Sequence, residues 1–244
     1  VNMQTLQRFA LIGSGFIGQV HAANLAAHPG IELTLVCDID SSRAEAVAQR
    51  YGAQAASVQQ ALNSKAIDAV LIASATPTHA ELLEQAVLAG KAVYCEKPID
   101  LSLQRAREVV KKISPIQVPV TVGFNRRFDQ SHQQLKAQLK QGVIGRSELI
   151  QMVCRASELP PLSYLQASGG QMRDQAIHFF DLLRWLTEDE VTTVGAMGAA
   201  LAMPEIRDFA VVTPVLTLRI PQGALAPLDN TRRTASGHSD PISV

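Results

Sequence analysis

Aromatic residues make up only 5% of this 244-residue sequence, with a single tryptophan. A surface that stacks unpaired bases needs several aromatics together with a positive field. Here 22 Lys and Arg are balanced by 22 Asp and Glu, so the formal net charge is zero. Bulk charge therefore draws the chain neither to nucleic acid nor to an anionic membrane surface. Cysteine is also sparse. Cys37, Cys95 and Cys154 lie inside apolar runs, which suits reduced core thiols and not a disulfide framework. No apolar run approaches the ~20 residues of a membrane span. The first residues, VNMQTLQRFA, lack a basic segment leading into a long apolar one. The expectation is an ordinary cytoplasmic globular protein, of one large domain or two modest ones.

What is present is a strict alternation of strand and helix signals in the first half. Short apolar runs at Phe9-Ala10-Leu11-Ile12, Leu33 to Cys37, Asp68 to Ala73, Ala92 to Cys95 and Val118 to Gly123 predict strands. Helices are predicted between them: Phe16 to His28, Ser41 (as a possible cap) to Tyr51, Pro77 to near Gly90, and Ser102 to about Ile113. Apolar strands that do not alternate in polarity are buried on both faces, and with helices between them they imply an α/β, doubly wound parallel sheet. After about Phe124 the pattern changes. A polar helix is expected from Asp129 to Gln141, a strand from Ser147 to Arg155, and a loop marked by Pro160-Pro161 and Ser168-Gly169-Gly170. A strong helix from Gln171 to Thr187 precedes strand-like runs at 191–197, 209–220 and 224–228. This predicts a second, α+β domain with an open, mostly antiparallel sheet, and a division into 1–124 and 125–244. The tail from Thr231 is polar and poorly patterned.

Gly13-Ser14-Gly15-Phe16-Ile17-Gly18 is a G-x-G-x-x-G placed directly after a strand and at the opening of a helix. The first glycine permits the tight turn. The second lets backbone approach a pyrophosphate, and the third lets the helix pack on the strand. The free N–H groups of the helix then face the phosphates. Asp38 ends the second strand, where a carboxylate accepts the ribose hydroxyls and repels a 2′-phosphate. No Lys or Arg follows until Arg43, which favours NAD over NADP. The plainer alternative for Asp38 or Asp40 is a helix cap.

Glu96-Lys97-Pro98 stands at the carboxyl end of a strand, the side on which open α/β sheets bind ligands. On motif alone such a tripeptide is a common surface turn, and its position argues otherwise. Asp174 and His178 are four apart on the predicted helix, hence on one face, with Asp181 near the same stripe. A lone helical histidine is commonly a satisfied core residue, but one turn after an aspartate and a Ser-Gly-Gly loop it suits a general base. Oxidation of an alcohol needs a base for the hydroxyl proton, a cation for the developing alkoxide and a group to orient either one. His178, Lys97 and Asp174 match those needs.

These segments, with Ala75-Thr76-Pro77-Thr78-His79, Gly123-Phe124-Asn125-Arg126-Arg127-Phe128-Asp129 and Ser168-Gly169-Gly170-Gln171-Met172-Arg173-Asp174 through His178, resemble the glucose–fructose oxidoreductase / inositol dehydrogenase / rhizopine-catabolism family along essentially the whole chain. The last segment looks most like the inositol 2-dehydrogenase branch. The resemblance implies an N-terminal Rossmann domain binding NAD and a C-terminal sheet that covers its open face with another subunit, as a homo-dimer or homo-tetramer. It implies oxidation of a ring hydroxyl on a cyclitol or sugar, foremost myo-inositol to its 2-keto product. Lys97, Asp174 and His178 would be the catalytic set. Ser74, Thr76, Pro77, His79, Glu96 and Asn125 would line the cofactor cleft with Gly13, Gly15, Phe16, Ile17, Gly18 and Asp38. No metal is implied.

One departure stands out. Asn230-Thr231-Arg232-Arg233 resembles a segment inside the family's substrate domain, and Ser236-Gly237-His238 follows where inositol dehydrogenases carry tyrosines. The expectation is a C-terminally incomplete sheet. The alternative function is accordingly a shortened, non-catalytic NAD-binding or regulatory homologue.

Overall fold

The computed structural model describes residues 6–201, 206, 213–232, 234 and 239–244. The chain divides into two compact units, Val1–Gly123 and Phe124–Val244.

The first unit runs β1 (Gln7–Ile12), α1 (Phe16–Ala27), β2 (Ile31–Cys37), α2 (Ser41–Tyr51), β3 (Gln54–Ala55), α3 (Val58–Asn63), β4 (Ala69–Ile72), α4 (His79–Leu88), β5 (Ala92–Cys95), α5 (Leu103–Ile113) and β6 (Val120–Val122). All six strands are parallel, in the order β3-β2-β1-β4-β5-β6. Successive residues of a strand face opposite sides. Ala10 and Ile12 accordingly enter one apolar cluster with Val70, Ile72 and Leu83, while Leu11 enters the other with Val36, Leu71 and Ala22. That double burial is why these strands read as unbroken apolar runs. Strand order reverses between β1 and β4, so a crevice opens at the carboxyl ends of those strands.

The second unit contains α6 (Gln130–Gln141), β7 (Gln151–Arg155), α7 (Leu162–Ala167), α8 (Ile177–Thr187), β8 (Thr193–Ala199), β9 (Thr213–Arg219), β10 (Leu225–Thr231) and β11 (Ile242–Ser243). Among the described residues its mixed sheet has the order β11-β7-β10-β9-β8, with β7 and β10 parallel and the other neighbours antiparallel. Along β9, Pro214, Leu216 and Leu218 are buried while Thr213, Val215, Thr217 and Arg219 are exposed. One sheet face thus packs on α8 through Phe179 and Leu183, with Leu216, Leu218 and Leu228 opposite. The other face is open. Burying a Phe or Leu side chain stabilises by about 1.5–3 kcal/mol, so this seam holds the unit together.

Several local expectations change. The cap of α2 is Asp40, whose carboxylate accepts the N–H groups of Ser42 and Arg43, so Ser41 is the first helical residue. The short α3 passes unnoticed in sequence although Ser57 and Gln60 form a reciprocal capping box. Helix α7 occupies part of the expected loop, and β11 adds a strand from the poorly patterned tail. The expected helix from Gln171 is not uniform: Met172–Ala176 is a π turn that feeds α8. Positions 209–212 of the expected strand, Arg233 and the Ser236-Gly237-His238 segment lie outside the described residues.

Candidate active site

In the first unit the turn after β1 is built by sterics. Gly13 has φ +94°, and a Cβ there would lie 2.5 Å from the Ser74 backbone. A Cβ on Gly18 would lie 2.1 Å from the Gly13 carbonyl oxygen. Gly15 differs, because a Cβ there would meet nothing within 4 Å. Gly15 also begins α1 with no side-chain cap and no acid in the first turn. The leading N–H groups of the helix thus have no side-chain cap, and a group can come close to the Gly15 backbone, the arrangement that receives a phosphate. Phe16 and Ile17 are exposed at this turn.

Ser14 is fully buried. Its N–H and its hydroxyl both donate to Asp38 Oδ2, at 2.7 and 2.8 Å. The Asp40 N–H donates to Oδ1 at 3.0 Å, and Arg43 Nη2 lies 3.7 Å from the same oxygen. Burial by itself raises the Asp38 pKa, but the donors from Asp40 and Ser14, aided by Arg43, bring it below the ordinary carboxylate value. The carboxylate is thus fixed and charged at the end of β2. An open cradle beside a helix N-terminus, with an anchored acid next to it, fits a dinucleotide whose ribose carries free hydroxyls.

The other loops at this end of the sheet are tied together. Ser74 and Thr78 share a hydroxyl hydrogen bond of 2.6 Å. Thr76 and Pro77 lie in the 3-10 turn Thr76–Thr78 that leads into α4. His79 is buried, with Nδ1 2.8 Å from the Pro98 carbonyl oxygen and Nε2 3.0 Å from that of Ser74. A neutral ring donates to one of these; a protonated ring donates to both. His79 therefore clasps two loops from beneath and does not turn a nitrogen outward.

Glu96 is buried at the end of β5. Its Oε1 lies 2.8 Å from His21 Nε2, and its Oε2 accepts the Lys97 N–H at 3.2 Å. The His21 ring meets Tyr94 edge-on at 5.3 Å. Burial, and then the charge of Glu96, pushes the Tyr94 phenol up to about 12. Gly123 leaves the room for this group: a Cβ there would come within 2.8 Å of Tyr94 Oη and 3.2 Å of the Glu96 carboxylate. Lys97, half-buried, leaves this anchored backbone and enters a cis bond to Pro98.

In the second unit, Asn125 is exposed and opens the turn Asn125–Phe128. Asp174 sits within the π turn, not on a regular helix face. Its Oδ1 accepts the Tyr164 hydroxyl at 3.0 Å, and its Oδ2 accepts Arg232 Nη2 at 2.6 Å. Burial, followed by the Asp174 charge and hydrogen bond, pushes the Tyr164 phenol up to about 12. His178 lies at the start of α8, its ring edge-on to Phe124 at 6.4 Å. Asp181, expected near the stripe of Asp174 and His178, is instead buried against Arg127, with Arg127 Nε donating to Oδ2 at 2.7 Å and Nη2 to Oδ1.

Sequence reasoning gave no individual role to His21, Tyr94, Gly123, Tyr164 or Arg232, although Gly123 and Arg232 lie in segments that carry the family resemblance. Of these, Gly123 carried a usable signal, a glycine ending an apolar strand. Among the described residues, no group of three or more His, Cys, Asp or Glu gathers as a metal site. Nor is any described helix long and apolar enough to cross a membrane.

Comparison with known proteins covers both units. Residues 7–124 match the model of an oxidoreductase family with an NAD-binding Rossmann fold, and residues 132–244 match the GFO/IDH/MocA C-terminal domain. The chain is 37% identical over 240 residues to an inositol 2-dehydrogenase of Rhizobium meliloti, covering 97% of this chain and 72% of that protein. A myo-inositol dehydrogenase structure from Corynebacterium glutamicum superposes with a TM-score of 0.91 at 36% identity, covering 98% of this chain and 72% of that one. A scyllo-inositol dehydrogenase structure from Lactobacillus casei, with bound NAD(H) and scyllo-inositol, superposes with a TM-score of 0.86 at 26% identity, covering 97% and 72%.

Proposed function

The chain belongs to the GFO/IDH/MocA family of NAD-binding oxidoreductases, and from that premise we propose that it oxidises a ring hydroxyl of a cyclitol, foremost myo-inositol to the 2-keto product. The observation that carries this reading is the 37% identity to an inositol 2-dehydrogenase across 97% of the chain.

Bound NAD⁺ supplies the hydride acceptor. The Gly13–Gly18 turn and the N-terminus of α1 would hold its pyrophosphate, and Asp38 its adenosine ribose. In this reading the His178 imidazole takes the hydroxyl proton as the carbon–hydrogen bond breaks. The Lys97 ammonium stabilises the alkoxide as it forms. Asp174 accepts a hydrogen bond from a substrate hydroxyl and orients the ring. Glu96 keeps the Lys97 backbone in place through the 3.2 Å bond from its N–H.

We further assign the exposed β9 face, with Thr213, Val215, Thr217 and Arg219, to contact with a second copy of the chain, and the site of action to the cytoplasm. Three buried free thiols suit that reducing compartment.

The test is NADH formation at 340 nm with purified protein, NAD or NADP, and a panel led by myo-inositol, scyllo-inositol and glucose. Turnover with NAD and a cyclitol is expected. Lys97→Ala and His178→Ala should each abolish it while NAD affinity, measured by calorimetry, stays nearly intact. Near-normal kcat in either variant would remove that residue from the mechanism. Silence of the parent chain across the panel, with NAD bound, would defeat the proposal.

A further inference from the structure

Three separate segments converge on one carboxylate. Tyr164 comes from α7, Asp174 from the π turn, and Arg232 from the residue just past β10. Tyr164 is 47% exposed and contributes little to the core, yet its hydroxyl sits 3.0 Å from Asp174 Oδ1. Arg232 is the reverse, only 3% exposed, with Nη2 2.6 Å from Oδ2. Its Nη1 is buried and, among the described residues, has no hydrogen-bond partner.

Fold stability gives no sufficient reason for that arrangement. A buried ion pair is weak evidence of stabilisation, because desolvation offsets much of the attraction. A buried N–H without an acceptor is a net cost. An apolar residue at position 232 would close the sheet end without either penalty. What the arrangement does supply is a carboxylate whose two oxygens are each held, so that its plane has a set direction. Neighbouring Gln171 and Asn230, both buried and 2.8 Å apart at Nε2 and Oδ1, tie the start of the π turn to β10 and keep Arg232 in register with Asp174.

We infer that Arg232 and Tyr164 are positioning residues for the substrate: together they orient Asp174 toward a hydroxyl of the polyol ring. This rests on the reading of Asp174 as a substrate-binding group. The two residues act through Asp174, and their effects therefore depend on it.

The experiment is a double-mutant cycle on the full chain with NAD and the preferred polyol. Asp174→Asn, Tyr164→Phe and Arg232→Gln are made singly, and the last two are also made in the Asp174→Asn background. Arg232→Gln is expected to lower kcat/KM about 100-fold and Tyr164→Phe about 10-fold, with KM rising and NAD affinity unchanged. In the Asp174→Asn background each should cost less than about 2-fold, because the group they position has lost its charge. Arg232→Lys should recover part of the Arg232→Gln loss. Calorimetric titration of polyol into the NAD-loaded protein should follow the same cycle.

If Asp174→Asn lowers kcat/KM but the other two changes multiply with it in full, the positioning inference is wrong and the reading of the site survives. If Asp174→Asn leaves kcat/KM at the parent value, that reading fails and takes the inference with it. Tyr164 lies at the surface, so its arm of the cycle decides the matter even if Arg232→Gln does not fold.

Discussion

Ser14 donates twice to a single oxygen of Asp38, from its backbone N–H at 2.7 Å and from its hydroxyl at 2.8 Å. The Gly13–Gly18 turn and Asp38 are thereby one hydrogen-bonded piece. Asp38→Ala should weaken NAD binding by about 10- to 100-fold, since hydrogen bonds to a charged group are worth about 1.5–3 kcal/mol. It should also narrow the preference for NAD over NADP. Calorimetry with both nucleotides checks this; an unchanged NAD dissociation constant would remove Asp38 from the cofactor site.

The same bonds set a pH dependence. The folded pKa of Asp38 lies below its unfolded value because the donors outweigh burial. A depressed carboxylate adds stability above the unfolded pKa of about 3.9, and that increment is lost as pH falls through the folded value. The stability gap between the parent and Asp38→Asn should therefore be flat from about pH 5 upward and shrink below about pH 4. Urea unfolding at a series of pH values measures it.

Two glycines of one motif should fail in different ways. Gly18→Ala drives a methyl group to 2.1 Å from the Gly13 carbonyl oxygen and should destabilise the fold. Gly15→Ala meets nothing within 4 Å, so thermal stability should hold within about 0.5 kcal/mol. The space that its methyl group takes is the cradle itself, and NAD affinity should drop at least tenfold. A Gly15→Ala variant that binds NAD normally would show that the cofactor does not approach there.

Asp181 should matter for stability and not for turnover. Removing it leaves Arg127 partly buried without its carboxylate. Because the arginine side chain is 38% exposed, solvent screens part of the loss, and about 1–2 kcal/mol is expected for Asp181→Ala. KM for the polyol should stay put. A rise in KM with unchanged stability would place Asp181 in the active site.

The three cysteines should be silent toward a thiol reagent in the folded protein. Cys37, Cys95 and Cys154 are buried, and burial foremost pushes each thiol up to about 12. Labelling should appear only on unfolding, when all three react. A thiol titrated in the folded chain at about pH 8 would contradict the burial.

How far the sequence could be read depended on the range of the interactions. The parallel sheet was legible because strands buried on both faces leave unbroken apolar runs, as at Ala69–Ile72. The glycine turn was legible because its glycines fall within six consecutive residues, although the Ser74 backbone that crowds Gly13 is far along the chain. The cap of α2 was legible in part: a cap was the alternative reading for Asp38 or Asp40, and Asp40 fills that place in preference to Ser41, one position on. The fate of Asp181 was not legible, because Arg127 lies 54 positions away. Nor was that of Asp174, whose partner Arg232 is 58 positions on and belongs to a different element. Spacing of four reports a helix face only while the helix keeps its period, and at Met172–Ala176 it does not.

That change of period has a consequence for how the chain tolerates changes in length. A π turn is one residue more than a regular helix would use. Deleting a single codon at Gln175 or Ala176, after Asp174 in the turn, would let the helix run on without interruption into α8. Its core contacts through Phe179 and Leu183 would survive, while the residues before the deletion rotate by about 100°. Asp174 would swing away from Tyr164 and Arg232. Indels are ordinarily harmless in loops and ruinous in helices; here one lies poised to yield a folded relative whose Asp174 has left Tyr164 and Arg232.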